Sequence, residues 1–226
     1  MEARGAGPLD ELQAEGRGSM TNLCIDLCSG LGGFSQAFVD AGWEVVTVDI
    51  DGRFNPTITA NILTLSAKKI EKVTKKGRFG EYEKVVVLAS PPCERFSIAN
   101  SDWPQKGTGR ALRIVAAVID LITEIRPDAW LLENPTGRLQ WFLGKPPHSV
   151  KQSDYGRRVA TQGGKERRPY KPTDLWGNVN LPLVASDTTG IEVVRAGTGF
   201  TKDARAKRAE IAYGLSQAIL EAVSQP

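Results

Sequence analysis

Three short stretches hold residues whose types and spacing could do chemistry. In SPPCERFS, Ser90 to Ser97, a lone cysteine, Cys93, follows two prolines and the apolar run Val85 to Ala89. Prolines fix their own backbone, so the thiol is presented from a stiff loop. As a thiolate, activated by a cation such as Arg95 or by hydrogen bonds, it would be a nucleophile; as a thiol it would be a packing residue. In LLENPTG, Glu133 closes another apolar run, where a carboxyl serves as acid, as base, or as the cap of a turn. In DLCSGLGGF, Asp26, Gly30, Gly32 and Gly33 form a glycine-rich turn, and Asp49 closes the next apolar run. Glycines let backbone approach a ligand, and a carboxylate at the second strand end can accept hydrogen bonds from ribose hydroxyls. These features suit a nucleoside-bearing cofactor. The spacing is not G-x-G-x-x-G and no Walker lysine follows, which disfavours NAD and ATP.

Such residues must be brought together by the elements between them. NLCIDL reads as a strand, SQAFVDAG as a helix, WEVVTVD as a strand, PTITANIL as a strand edge and Ser66 to Lys76 as a charged helix. EKVVVLAS is the next strand, RALRIVAAVIDLITEI a long amphipathic helix, and DAWLLEN another strand. Alternation of this kind predicts an α/β fold, a doubly wound Rossmann-like domain, and parallel strand ends that converge on one crevice. Cys93, Glu133, Asp26 and Asp49 should then share a cleft. After Leu143 the chain becomes rich in Gly, Pro and basic residues, which reads as a surface appendage. The expected organisation is a flexible leader or cloning remnant at 1–20, a catalytic cofactor-binding domain at 21–144, a basic segment at 145–202, and a C-terminal helix at 203–226 packing back on the domain.

With 226 residues and 41% hydrophobic side chains, the chain can bury one sizeable core. No apolar stretch reaches the roughly 20 residues that span a bilayer, and the expected location is the cytoplasm. Three cysteines and one histidine are too few for a disulfide framework or a zinc site, so no metal is expected. The net charge of +3 is modest but uneven: Arg157, Arg158, Lys165, Arg167, Arg168 and Lys171 face one acid, Glu166, which suits a polyanion or a solvated surface.

DLCSGLGGF, SPPCERFS and LLENPTG, in that order, resemble the cofactor, Pro-Cys and Glu-Asn motifs of DNA cytosine-C5 methyltransferases, particularly small, phage-like members. The resemblance runs from about Asn22 to Asn178 plus the final helix. It implies S-adenosylmethionine as cofactor and methyl transfer to C5 of cytosine in DNA, in a prokaryotic or phage setting. Asp26, Gly30, Gly32, Gly33 and Phe34 would cradle the cofactor with Phe34 near its adenine. Asp49 would take the ribose hydroxyls, Ile50 and Asn61 the adenine, and Pro91 would line the site. Cys93 would add to C6 of a flipped base and Glu133 would serve N3. An arginine would hold the cytosine; Arg157, Arg158, Arg167 and Arg168 compete, with Arg168 preferred. Arg157, Arg158, Lys165, Arg167 and Lys171 would meet the phosphates.

The sequence departs from the family at Cys28, where an aromatic residue is common, at Pro135, where valine is usual, and between Asn178 and Thr201, which is too short for an independent recognition domain. A separate specificity partner, an RNA substrate, and a binding protein without turnover stand as alternatives.

Overall fold

The computed structural model describes residues 21–98, 106–156, 159–160, 166–182, 193–195 and 210–225, with side chains described outside 159–160, 166–170 and 193–195. The main sheet is built from β1 (Leu23–Leu27), β2 (Glu44–Asp49), β3 (Ile58–Thr59), β4 (Val85–Ala89), β5 (Ala129–Pro135), β6 (His148–Lys151) and β9 (Pro172–Gly177). Its seven strands lie in the order β3-β2-β1-β4-β5-β9-β6. The first five are mutually parallel, and β9 runs antiparallel to both β5 and β6. Short strands β7 (Val159–Ala160), β8 (Glu166–Tyr170) and β10 (Val193–Arg195) make a separate sheet in the order β10-β8-β7.

Side chains of successive strand residues point to opposite faces, so the continuous apolar runs of β1 and β4 feed two cores. Leu23, Ile25, Val85 and Val87 pack on one face with helix residues from α2 (Ala67–Glu71) and α3 (Thr108–Ile125), including Ile70, Val115 and Ile122. Cys24, Val86 and Leu88 pack on the other with α1 (Gln36–Asp40) and α5 (Tyr213–Ser224), through Phe38, Leu215 and Ile219; the short helix α4 (Gln140–Leu143) follows β5. Leu215 and Ile219 are fully buried. Burial of each contributes about 1.5–3 kcal/mol, against about 1 kcal/mol for a hydrogen bond, so apolar docking holds α5 in place. Ser216 then sets its position: its Oγ accepts from Ala37 N at 3.1 Å and donates to Phe34 O at 2.7 Å, capping the first turn of α1.

The structure departs from the sequence reading in three places. The final helix, expected over 203–226, spans Tyr213–Ser224, the described residues 210–212 before it being non-helical. The charged stretch Ser66–Lys76 is helical only over Ala67–Glu71, because Glu44 takes the backbone that follows. Its Oε1 accepts from Lys75 N at 2.7 Å and its Oε2 from the Tyr82 hydroxyl at 2.6 Å. More consequentially, the stretch after Leu143 is not all surface. Strand β9 lies between β5 and β6, with Thr173, Asp174, Leu175 and Trp176 buried. The reading of residues 1–20 as a leader lies outside the described residues. Among those described, no helix is long and apolar enough to cross a membrane.

Candidate active site

Pairing aligns the strand ends. Leu27 lies opposite Val48 and Ala89, and Ala89 lies opposite Leu132, so the residues that follow β1, β2 and β4 emerge beside Glu133, the next residue of β5. On the β1 side the chain turns sharply, with positive φ at Cys28 (59°), Gly30 (51°) and Gly32 (76°). A Cβ added at Gly30 or Gly32 would meet nothing within 4 Å, so the turn borders open space. Asp49 anchors it: Oδ2 accepts from Gly30 N at 2.8 Å, and Oδ1 from Asp51 N at 2.8 Å. Lone pairs remain on both oxygens for hydroxyl donors. Ile50, next to it, is 67% exposed. Asn61 uses Oδ1 to accept from Leu63 N at 3.1 Å, which caps the short turn after β3.

Asp26 is completely buried on β1, and its Oδ2 accepts from Ser35 Oγ at 2.7 Å while Oδ1 has no hydrogen-bond partner. Burial pushes its pKa up to about 7, opposed by the Ser35 hydrogen bond and reinforced by the Asp49 charge. The open turn, the ribose-competent Asp49 and an unsatisfied buried carboxyl oxygen fit a cofactor that carries both a nucleoside and positive charge.

Asp26 also predicts a pH effect. Its folded pKa of about 7 lies above the ordinary 3.8, so its protonated form favours the fold below pH 4 and that contribution is lost as pH rises through 7. The difference is on the order of 4 kcal/mol. Asp26→Asn removes the titration, so its stability relative to wild type should rise between pH 4 and pH 8, as measured by urea denaturation. Parallel pH dependences in the two proteins would show that Asp26 ionises normally.

Two residues assigned to the cofactor do other work. Phe34 is 1% exposed and packs in the core with Phe38, so its ring is not available to an adenine. Gly33 has Ile211 O only 3.0 Å from where a Cβ would sit, so its missing side chain admits the segment leading into α5.

On the β4 side, Cys93 is partly buried in the loop after the strand, and its carbonyl accepts from Phe96 N at 2.9 Å and Ser97 N at 3.2 Å. That loop is tied to the end of β5 at several points. Asn134 Nδ2 donates to Pro91 O at 3.0 Å, Arg138 N donates to Phe96 O at 2.8 Å, and an Arg138 guanidinium nitrogen donates to Ser97 O at 2.5 Å. Asn134, Arg138 and Ser35 were absent from the sequence-derived site. Asn134 and Ser35 could have been suspected from their places beside Glu133 and the glycine turn; nothing in the sequence marked Arg138.

Gly137 lets these loops meet, since a Cβ there would lie 2.5 Å from Phe96 O. Gly137→Ala should therefore displace the Cys93 loop and lower turnover about 10- to 100-fold, with cofactor affinity little changed. Steady-state kinetics beside cofactor titration check this; unchanged turnover would mean that the loop position does not matter.

Glu133 is 3% exposed, and Lys171 Nζ stands 3.6 Å from its Oε1. Burial, then the nearby Glu133 charge, push the Cys93 thiol up to about 11, while Lys171 and a backbone hydrogen bond pull it down. Lys171, expected at phosphates, thus sits with its side chain 11% exposed beside the Glu133 carboxyl. It was misplaced because charge composition does not tell which lysine of a basic run turns inward. Arg157, Arg158 and Lys165 lie outside the described residues; Arg167 and Arg168 are on β8, with side chains outside them. Among the described residues no group of three or more His, Cys, Asp or Glu could hold a metal ion.

A parallel sheet with one antiparallel strand inserted between its last two members, and a glycine turn after its first strand, is the Rossmann-like frame of S-adenosylmethionine-dependent methyltransferases. Within that class, the chain belongs to the C-5 cytosine-specific DNA methylase family, whose pattern matches residues 23–140. It is similar to the type II methyltransferase M.AquIA of Picosynechococcus sp., with 27% identity over 142 residues, 58% of this chain and 55% of that protein. It is also similar to the type II methyltransferase M.HgiGI of Herpetosiphon aurantiacus, with 28% identity over 117 residues, 49% of this chain and 87% of that protein. The chain therefore spans about half the length of M.AquIA and most of M.HgiGI. Among solved structures, it is similar to a chain encoded within an E. coli prophage and assigned as a DNA modification methyltransferase. The TM-score is 0.49 at 21% identity, over 72% of this chain and 49% of that one.

Proposed function

We propose that the chain transfers a methyl group from S-adenosylmethionine to C5 of cytosine in DNA, by covalent attachment of Cys93 to C6 of a base taken out of the helix. The observation that carries this reading is the convergence of Cys93, in the loop after β4, with Glu133 of the adjacent strand β5, locked by Asn134 to Pro91, beside an open glycine turn held by Asp49. Bound at that turn, with Asp49 at its ribose and the buried Asp26 complementing its positive charge, the cofactor supplies an electrophilic methyl group.

The residues of the chain do the rest. C5 of cytosine is a weak nucleophile, and a bond from Cys93 Sγ to C6 makes it an enamine carbon able to take a methyl group. The thiol gives up its proton to solvent as that bond forms, and Glu133, protonated from solvent, delivers one to N3 and is left as a carboxylate, so the adduct carries no added charge. Loss of the C5 proton to solvent then breaks the Sγ–C6 bond, the N3 proton returns to Glu133, and Cys93 leaves as a thiolate that regains its proton. Burial holds the Cys93 pKa up at about 11, so the thiol predominates near neutral pH and its deprotonation is part of the catalytic problem.

Extrusion of the base costs a few kcal/mol of stacking and pairing, and Arg157, Arg158, Lys165 and Arg167 are assigned to the flanking phosphates, with Arg168 at the base. The test is transfer of a labelled methyl group from S-adenosylmethionine to cytosine polymers. Label at C5 of DNA cytosine is expected. Label in RNA alone would reassign the polymer, and label in neither, with cofactor bound, would overturn the reading.

A further inference from the structure

We propose that Lys171 is a cation of the reaction centre, a positioning residue whose ammonium group holds the Glu133 carboxyl and favours the thiolate of Cys93. This rests on the reading of Cys93 as the nucleophile.

Lys171 directly precedes β9, the strand whose Leu175 pairs with Glu133. Its backbone is clamped: the carbonyl accepts from Gln152 N at 3.1 Å and from Thr173 Oγ1 at 3.3 Å. Gln152 is itself fully buried, donating through Nε2 to Thr173 Oγ1 at 3.0 Å and accepting through Oε1 from Ala212 N at 3.0 Å. At its other end, Lys171 Nζ donates to Glu210 O at 3.3 Å and lies 3.6 Å from Glu133 Oε1. A lysine that serves phosphates keeps its ammonium in solvent at the end of a flexible stem. This one is fixed at both ends, and its side chain is 11% exposed.

The consequence for the chemistry is electrostatic. Among the described residues, the charged groups acting on Cys93 come from three places: Glu133 on β5, Lys171 before β9, and Glu94 in the cysteine loop. Two of them are carboxylates that oppose a thiolate, and Lys171 is the one that favours it. A fixed cation beside Glu133 also stabilises the carboxylate left behind when that residue delivers its proton to N3. Lys171 keeps its own protons throughout, so no bond to it forms or breaks.

The thiol itself reports on this without DNA or methyl transfer. The full chain is treated with iodoacetamide across pH 7 to 11, and alkylation of the Cys93 peptide is followed by mass spectrometry, which separates it from Cys24 and Cys28. Lys171→Met should move the profile to higher pH and slow alkylation at pH 8 about 3- to 10-fold, a tenfold change being one pKa unit. Lys171→Arg should restore the wild-type profile to within about twofold, and Glu133→Gln should move it the opposite way. Lys171→Gln serves in place of methionine if folding is impaired. A Cys93 profile indifferent to loss of the Lys171 charge, in a chain that does transfer methyl groups, overturns this proposal alone. Failure of methyl transfer with the expected alkylation profiles instead overturns the reading of the site.

Discussion

Cys93→Ser is expected to lower methyl transfer about 10³- to 10⁶-fold while leaving cofactor affinity within about twofold. The size follows from the chemistry: without a bond at C6 there is no enamine, and a serine hydroxyl is far too weak an acid to supply the missing nucleophile. The selectivity follows from the structure. Cys93 hangs from the end of β4, whereas the turn assigned to the cofactor follows β1 and is anchored on Asp49 from β2. The loop hydrogen bonds from Phe96 N and Ser97 N are accepted by the Cys93 carbonyl, and serine keeps that carbonyl. Methyl transfer and cofactor titration on the same preparation separate the two effects. Equal losses in both would make Cys93 a structural residue.

Glu133→Gln should cost about 10²- to 10⁴-fold in turnover, the range of a lost acid–base group. Glutamine keeps the volume and hydrogen-bonding reach of the buried side chain, so the strand pairing with Leu175 should survive and thermal stability should change little. What it cannot do is give up a proton to N3. Because it also removes a negative charge beside the thiol, Cys93 should ionise at lower pH in the variant even as turnover falls. A more reactive thiol in a slower enzyme is a signature that a merely misfolded site would not produce. Rates of methyl transfer and of Cys93 alkylation, measured together, check it.

Much of the frame was legible because physical pattern and position coincide. Buried parallel strands are dominated by apolar residues on both faces, as β4 is throughout; the polar residues that interrupt β1 and β5, Asp26, Glu133 and Asn134, make no sense as core, and the register sets the strand ends side by side. Strand β9 was hidden by its composition. Its buried Asp174 is satisfied at Oδ1 by the hydroxyls of Thr136 at 2.7 Å and Ser149 at 2.8 Å, partners on two other segments that no local pattern reveals. A proline at its start and two buried polar residues gave it the look of a loop.

Phe34 was misread although the signal was present: Phe38 lies four residues on, and the two pack in the same core. Proximity to the glycine turn outweighed the helical spacing. Lys171 shows a different limit. Its charge was visible, but its inward turn depends on Gln152, Glu210 and Glu133, which are brought to it only by the folded sheet.

The most direct test of the covalent mechanism uses DNA containing 5-fluorocytosine, incubated with the chain and S-adenosylmethionine. Fluorine at C5 cannot leave as the proton does, so the Sγ–C6 bond should persist once the methyl group has been accepted. A denaturation-resistant adduct with the wild-type chain, absent in Cys93→Ala, is the predicted result. No adduct from a chain that binds the cofactor and this DNA, or an adduct that survives the loss of Cys93, would contradict it.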